Sequence, residues 1–291
     1  MTKRDDESRL VAKEIYGLRE AWAIRSGLTN MPYVHCDPQT VNDRVYLFAD
    51  KAQAERFCAG QPAEQRLSVL PLETVPVKGA QGGTVSRVRG FLAQLPTLDV
   101  DVVFYTPQNG EGRECYVEDI LPPGFSGKLM GNKMYNPLLQ LTGIFFCQEA
   151  RLPREAQDPE ELRLAEEEFS ANLVKSTLFL ALLPPEKPQP GQTQVPLSQC
   201  RFPVAKNKKG EAFMPVFTDI TELQKYSAGQ PLAAMRVGFT RLHNYFLENA
   251  KCYLLNPMGI SLPLMREQLA PMAARFGLQL EPMEPGKKAS D

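Results

Sequence analysis

Phe213-Met214-Pro215-Val216-Phe217-Thr218-Asp219 opens a stretch that ends at Lys251-Cys252-Tyr253-Leu254-Leu255-Asn256-Pro257-Met258-Gly259, and its reading decides the fold. Met214, Val216 and Phe217 favour an extended strand, which Thr218-Asp219 closes with a helix-start signal. Asp219 can accept a hydrogen bond from a free amide of the first turn, and Glu222 three residues on completes a capping-box pattern. Leu223 and Tyr226 then share one helix face. Gly229 and Pro231 stop that helix. Leu232, Met235 and Val237 predict a strand. Phe239, Leu242 and Phe246 follow at helical spacing, with Thr240 able to cap a second helix. The apolar run 252–255 is too short for a lone helix and is bounded by Asn256-Pro257, so it reads as a buried strand. The order β-α-β-α-β makes a small mixed sheet with helices packed against it.

The same order recurs upstream. Val45-Tyr46-Leu47-Phe48-Ala49-Asp50 matches the strand that ends at Asp219, and Asp50 and Gln53 take the places of Asp219 and Glu222. Ala54 and Phe57 match Leu223 and Tyr226. A strand over 67–72, a helix from Thr84 to about Leu95 and the run Val102-Val103-Phe104-Tyr105-Thr106-Pro107 complete the series. Five elements in one order, with caps and apolar positions in step, argue for an internal duplication. Two copies are too few for a solenoid, so tandem or face-to-face domains are expected.

Working outward, Leu10, Val11, Ile15, Leu18 and Trp22 form a helical stripe over residues 9–26, ended by Gly27. Strands are expected at 31–36, 44–48 and 114–117. A mostly apolar helix is expected over 137–147, with Asn136 as cap and Pro137 at its first position. Residues 151–161 are polar and Pro-containing, a linker by composition. A helix over 159–175 and a strand over 177–183 then answer the opening pair. A hairpin through Lys206-Asn207-Lys208-Lys209-Gly210 and a last helix over 265–276 follow. The expected fold class is α+β, two tandem related α/β-layered domains at 1–152 and 153–282, with a loose tail at 283–291.

Bulk properties narrow the function. At 291 residues the chain can build two domains, each with a core. A formal charge of −1 gives no global field for nucleic acid or an anionic membrane. The longest apolar run, 178–183, is far below membrane-spanning length, and the first residues lack the apolar core of a signal peptide. Cysteines at 36, 58, 115, 147, 200 and 252 are scattered among apolar residues, as reduced, buried thiols of a cytosolic protein would be.

Three segments carry a family resemblance: Phe179-Leu180-Ala181-Leu182-Leu183-Pro184, Met214-Pro215-Val216-Phe217-Thr218, and Leu254-Leu255-Asn256-Pro257-Met258-Gly259 with Leu262 and Leu264 after it. They resemble the N-terminal domain of the SseB family, the enhanced serine sensitivity proteins, over about the C-terminal half of the chain. The first half departs from the pattern, with Thr106-Pro107-Gln108-Asn109 where the family would show Asn-Pro and Gly. The resemblance implies a bacterial cytoplasmic α+β domain. It carries over no catalytic residue.

Candidate chemistry is sparse. In the turn 256–259, Pro257 fixes φ, Gly259 allows a left-handed residue and Asn256 can bond its own loop. A tight connection between strands accounts for the turn, and a ligand or peptide contact at Asn256, Pro257 and Gly259, with Thr106 and Pro107 as upstream counterparts, is the competing reading. The loop Lys78-Gly79-Ala80-Gln81-Gly82-Gly83-Thr84 enters a helix but lacks the Gly-Lys-Ser/Thr ending of a phosphate loop. His35 and Cys36 are strand neighbours that point to opposite faces, so they make no direct base–nucleophile pair. His243 sits at the polar margin of its helix and is a further candidate contact. No Cys-x-x-Cys exists and two isolated histidines give no metal-ligand spacing. Lys206, Lys208 and Lys209 read as a solvated hairpin tip without aromatic interleaving for nucleic acid.

The expected function is therefore a non-catalytic binding or protein-interaction module of the bacterial cytoplasm, with no cofactor and no metal. A protein or peptide partner or a homodimer is open to it; nucleic acid and membrane are not expected. A thiol-dependent or sulfur-handling enzyme and a purely structural dimerisation module are the alternatives.

Overall fold

Two strands, Asp43–Phe48 and Ala212–Phe217, are buried along their last four residues on both faces. That pattern demands a helical layer on each side of a sheet, and two such layered sheets are what the chain forms. The computed structural model describes residues 3–76, 84–130, 132–185 and 196–282. It packs as two compact units: Met1–Lys133 with Gly143–Leu162, and Met134–Thr142 with Arg163–Asp291.

The first unit runs α1 (Lys3–Gly17), β1 (Glu20–Ser26), β2 (His35–Cys36), β3 (Asp43–Phe48), α2 (Lys51–Ala59), β4 (Leu67–Pro76), β5 (Thr84–Ser86), α3 (Arg87–Gln94), β6 (Val102–Thr106), β7 (Arg113–Tyr116), α4 (Val117–Ile120) and α5 (Phe125–Met130). Helices α6 (Pro137–Ala150) and α7 (Pro159–Lys175) follow. The second unit continues with β8 (Thr177–Leu182), β9 (Ala205–Lys206), β10 (Ala212–Phe217), α8 (Ile220–Ser227), β11 (Ala233–Gly238), β12 (Cys252–Leu255), β13 (Leu262–Leu264) and α9 (Arg266–Arg275).

In the first unit the sheet order is β5-β4-β1-β3-β6-β7, with β2 beside β3. In the second it is β11-β8-β10-β12-β13, with β9 beside β10. Strand directions agree as well. β3–β6 and β10–β12 are parallel, and the other pairs are antiparallel. Register follows suit: Trp22 faces Phe48 as Phe179 faces Phe217. The first core gathers Ile24, Tyr33, Tyr46, Phe48 and Ala54, and the second Phe179, Ala181, Phe217 and Leu223. The fold class expected from sequence is the one observed.

Several local expectations need correction. The stripe over 9–26 is not one helix: α1 stops at Gly17, and Trp22 lies on β1. Val11 and Ile15 are fully buried while Leu10 is 65% exposed, so the stripe belongs to α1 alone. β1 pairs on both edges, and such burial mimics a helical pattern when only sequence is read. The strand expected at 31–36 shrinks to β2. Thr84 begins a strand, and α3 is capped instead by the Ser86 hydroxyl, which accepts from Arg89 N. The helix expected after Thr240 is a 3-10 helix, Phe239–Tyr245. Its buried residues Phe239, Leu242 and Tyr245 recur every three positions, which matches three residues per turn.

The two units divide the chain within α6, after Thr142, and within α7, after Leu162, the latter just beyond the linker expected at 151–161. Asn136 and Gln140 bond within the second unit, whereas Gln148 and Arg151 donate to the carbonyls of Val34 and Leu28 in the first. The glycine-bearing loop 78–83 and the tail 283–291 lie outside the described residues.

Phe217 is fully buried at the centre of its cluster, against Tyr226 at 5.4 Å between ring centroids. Phe217→Ala should lower the unfolding free energy by about 3–5 kcal/mol in urea titrations followed by circular dichroism.

Candidate functional site

β10 and β12 run side by side and end together, and their carboxyl ends release polar groups into the protein interior. Asn256 leaves β12 with φ of 47°, a left-handed conformation that asparagine tolerates better than most residues. Its carbonyl accepts from Gly259 N and Ser261 N, both at 2.9 Å, which closes the turn. Ser261 is the other left-handed residue here, so Gly259 is not the one that supplies that conformation.

The Asn256 side chain is fully buried and engaged on both sides. Oδ1 accepts from Thr218 N at 3.0 Å, while Nδ2 donates to Gln140 Oε1 at 3.1 Å and to Thr218 Oγ1 at 2.9 Å. Gln140 Nε2 in turn donates to Asp219 Oδ2 at 2.8 Å, and Thr218 Oγ1 donates to the same oxygen at 3.1 Å. Asp219 Oδ1 caps α8 by accepting from Thr221 N and Glu222 N. Asn136 stands at the N-cap position of α6, its carbonyl accepting from Gln140 N at 3.0 Å, while its side-chain amide donates to the carbonyls of Thr177 and Thr218. Glu222 does not reach back to complete a capping box. It is 1% exposed and accepts from Lys225 Nζ at 2.7 Å.

This knot binds its own members and presents little polar surface outward. Pro257 is half-buried, Gly259 buried and Met258 51% exposed. In the first unit the counterpart is plainer. The Thr106 carbonyl accepts from Ala49 N, Asp50 caps α2 through Gln53 N, and Thr106 and Pro107 are half-buried. His243 is half-buried on the 3-10 helix, with Nδ1 lacking a hydrogen-bond partner. Sequence reading brought Asn256 and Asp219 forward but missed Thr218 and Gln140. A glutamine inside the apolar run Leu138-Leu139-Gln140-Leu141 was the available signal, because a buried amide needs partners.

Five of the thiols are disfavoured as thiolates. Burial raises the pKa of Cys36, Cys58 and Cys252, and pushes Cys147 up to about 11 and Cys115 up to about 12. For Cys36 the carboxylate of Asp43 adds to the effect. His35 is shifted the other way, below the ordinary histidine value, by burial and by the Arg44 guanidinium. A nucleophilic cysteine needs the opposite environment, electropositive and thiolate-favouring. Among the described residues no group of three or more His, Cys, Asp or Glu is placed to hold a metal ion. Among the same residues no helix is long and apolar enough to cross a membrane.

Comparison with known proteins gives one family. Residues 154–271 match the SseB protein N-terminal domain. No curated protein matches the chain. Among solved structures, Anabaena Tic22 (protein transport) is similar at 9% identity, covering 79% of this chain and 82% of that one with a TM-score of 0.19.

Two outcomes follow from the knot and the thiols. Asp50→Ala, which removes a partly exposed cap, should cost about 1 kcal/mol, whereas Asn256→Ala should cost about 2–4 kcal/mol because Thr218 N and Gln140 lose buried partners; urea unfolding of both variants checks the ratio. Cys36 should react with iodoacetamide more slowly than free cysteine at pH 7. Its raised pKa places the midpoint of the pH–rate curve above that of the free thiol, which peptide mapping by mass spectrometry can read.

Proposed function

We propose, from the premise that residues 154–271 are an SseB N-terminal domain, that this chain is a non-catalytic protein-interaction module of the bacterial cytoplasm. The observation that carries the reading is the outer edge of β11. This six-residue strand pairs with β8 along its whole length, and among the described residues no strand pairs with its other side. Ala233, Ala234 and Arg236 are exposed, the strand holds no proline, and Arg236 is its one charged side chain. An unpaired edge offers backbone donors and acceptors that an extended partner segment can complete as an added strand. Small side chains at 233 and 234 let a second backbone approach.

Polar groups at the strand ends support the same reading, since they satisfy one another and leave an apolar turn. Asn256, Pro257 and Gly259 act in this proposal by presenting Met258 as a second contact, with His243 in the same unit. Thr106 and Pro107 take the matching place in the first unit. The common strand order, directions and register of the two sheets support a duplication, and we propose domains at 1–152 and 153–282 on that basis. Self-association through β11, giving a homodimer, is the reading that the same edge favours second.

The double variant Ala233→Lys, Ala234→Lys adds charge at exposed positions and should leave the thermal midpoint within a few degrees of the parent. It should abolish capture of a defined partner by cross-linking in bacterial lysate. If self-association is the function, light scattering after gel filtration should show a dimer that becomes a monomer in the variant. Turnover of thioester, phosphate or amide substrates that disappears in Cys36→Ala or His243→Ala would overturn the proposal in favour of a thiol enzyme.

A further inference from the structure

Which backbone groups β11 offers is set by its pairing with β8. Phe239 N donates to the Ser176 carbonyl at 3.2 Å, just past the Gly238–Thr177 pair that ends the ladder. Hydrogen-bonded and non-hydrogen-bonded pairs alternate along antiparallel strands. By that alternation Val237, Met235 and Ala233 bond to β8, while Arg236 and Ala234 turn their N–H and C=O groups to the open edge. The side chains of Arg236 and Ala234 share one face of the sheet, and both are exposed.

The matching strand of the first unit offers less. Trp22 faces Phe48 and Pro71 as Phe179 faces Phe217 and Arg236, so Pro71 holds the place of Arg236. A proline there removes the outward N–H and blunts the edge. At the same place β11 carries a donor, an acceptor and a cation. Arg236 is the one charged residue of β11, and among the described residues no carboxylate pairs with it. A strand laid on this edge covers part of its guanidinium, which costs free energy unless the strand brings an opposite charge. A second copy of β11 brings none, because Ala233–Gly238 contains no Asp or Glu.

We infer that β11 takes an extended acidic segment of another protein, added as a strand with a Glu or Asp opposite Arg236. Main-chain bonds at Arg236 and Ala234 hold the segment in register. The carboxylate selects it over the apolar strands that an unpaired edge otherwise accepts. The inference rests on the reading of β11 as the interaction edge, and adds which partner that edge prefers.

A displayed library of random octapeptides, selected on the full chain and counter-screened on the Ala233→Lys, Ala234→Lys variant, tests it. Expected are peptides that bind the parent, fail on the variant and share an acidic residue at one position. Resynthesised with Lys at that position, the best of them should bind the parent at least about tenfold more weakly by fluorescence anisotropy, and with Gln up to about fivefold more weakly. Arg236→Glu, at an exposed position, should reverse the order, so that the Lys peptide binds better than the acidic one. Peptides that need β11 but share no acidic position, or that keep their order on a folded Arg236→Glu chain, would overturn the acidic preference and leave β11 as an interaction edge. A library that yields no peptide dependent on β11 would overturn the edge itself, and this inference with it. A dimer of the parent chain that Ala233→Lys, Ala234→Lys dissociates in light scattering would also overturn the inference, because a second copy would then fill the edge.

Discussion

Two parallel strands that end side by side must dispose of the backbone and side-chain polar groups that their ends release away from water. In the second unit Asn256 solves this. Its left-handed backbone turns the chain after β12, its carbonyl closes the turn, and its amide joins Thr218 after β10 to Gln140 on α6. Asp219 then links the same group to the first turn of α8. One buried residue therefore fixes the end of a strand and the docking of a helix, and through Asp219 it bears on the start of another. A buried network of this kind is stabilising only while every member is satisfied. That explains why its residue types are those that both donate and accept.

The first unit meets the same demand with less. Its parallel pair ends at Phe48 and Thr106, and backbone bonding from Ala49 N to the Thr106 carbonyl suffices beside the Asp50 cap. Its core relies on aromatic packing. Phe57 lies 4.4 Å from Tyr46 and 5.6 Å from Phe48 between ring centroids. Arg44 lies over Tyr46 and Phe104 while paired with Asp37. Identical strand order can thus be held by different chemistry.

Function follows from where polar capacity is spent. In the second unit the polar groups at the strand ends are occupied by the protein itself, which leaves backbone on an edge strand and an apolar turn for the interaction proposed above. Cys115, Cys147 and Cys252, buried and raised in pKa by that burial, are suited to packing.

Sequence alone determined the layered α+β class, the paired order of elements, the Asp50 and Asp219 caps and the turn at Asn256-Pro257. Each rests on local chemistry: β-branched and aromatic runs, capping oxygens, and the backbone limits of proline and asparagine. Tertiary structure alone decided that Trp22 lies on a strand, that residues 239–245 wind as a 3-10 helix, and that α6 and α7 are each shared between the units. It also decided the company of Gln140, 116 positions from Asn256 in the chain. The physical reason is the same throughout. Burial and hydrogen bonding act between residues brought close in space, and no pattern along the chain records which distant partner will satisfy a buried amide.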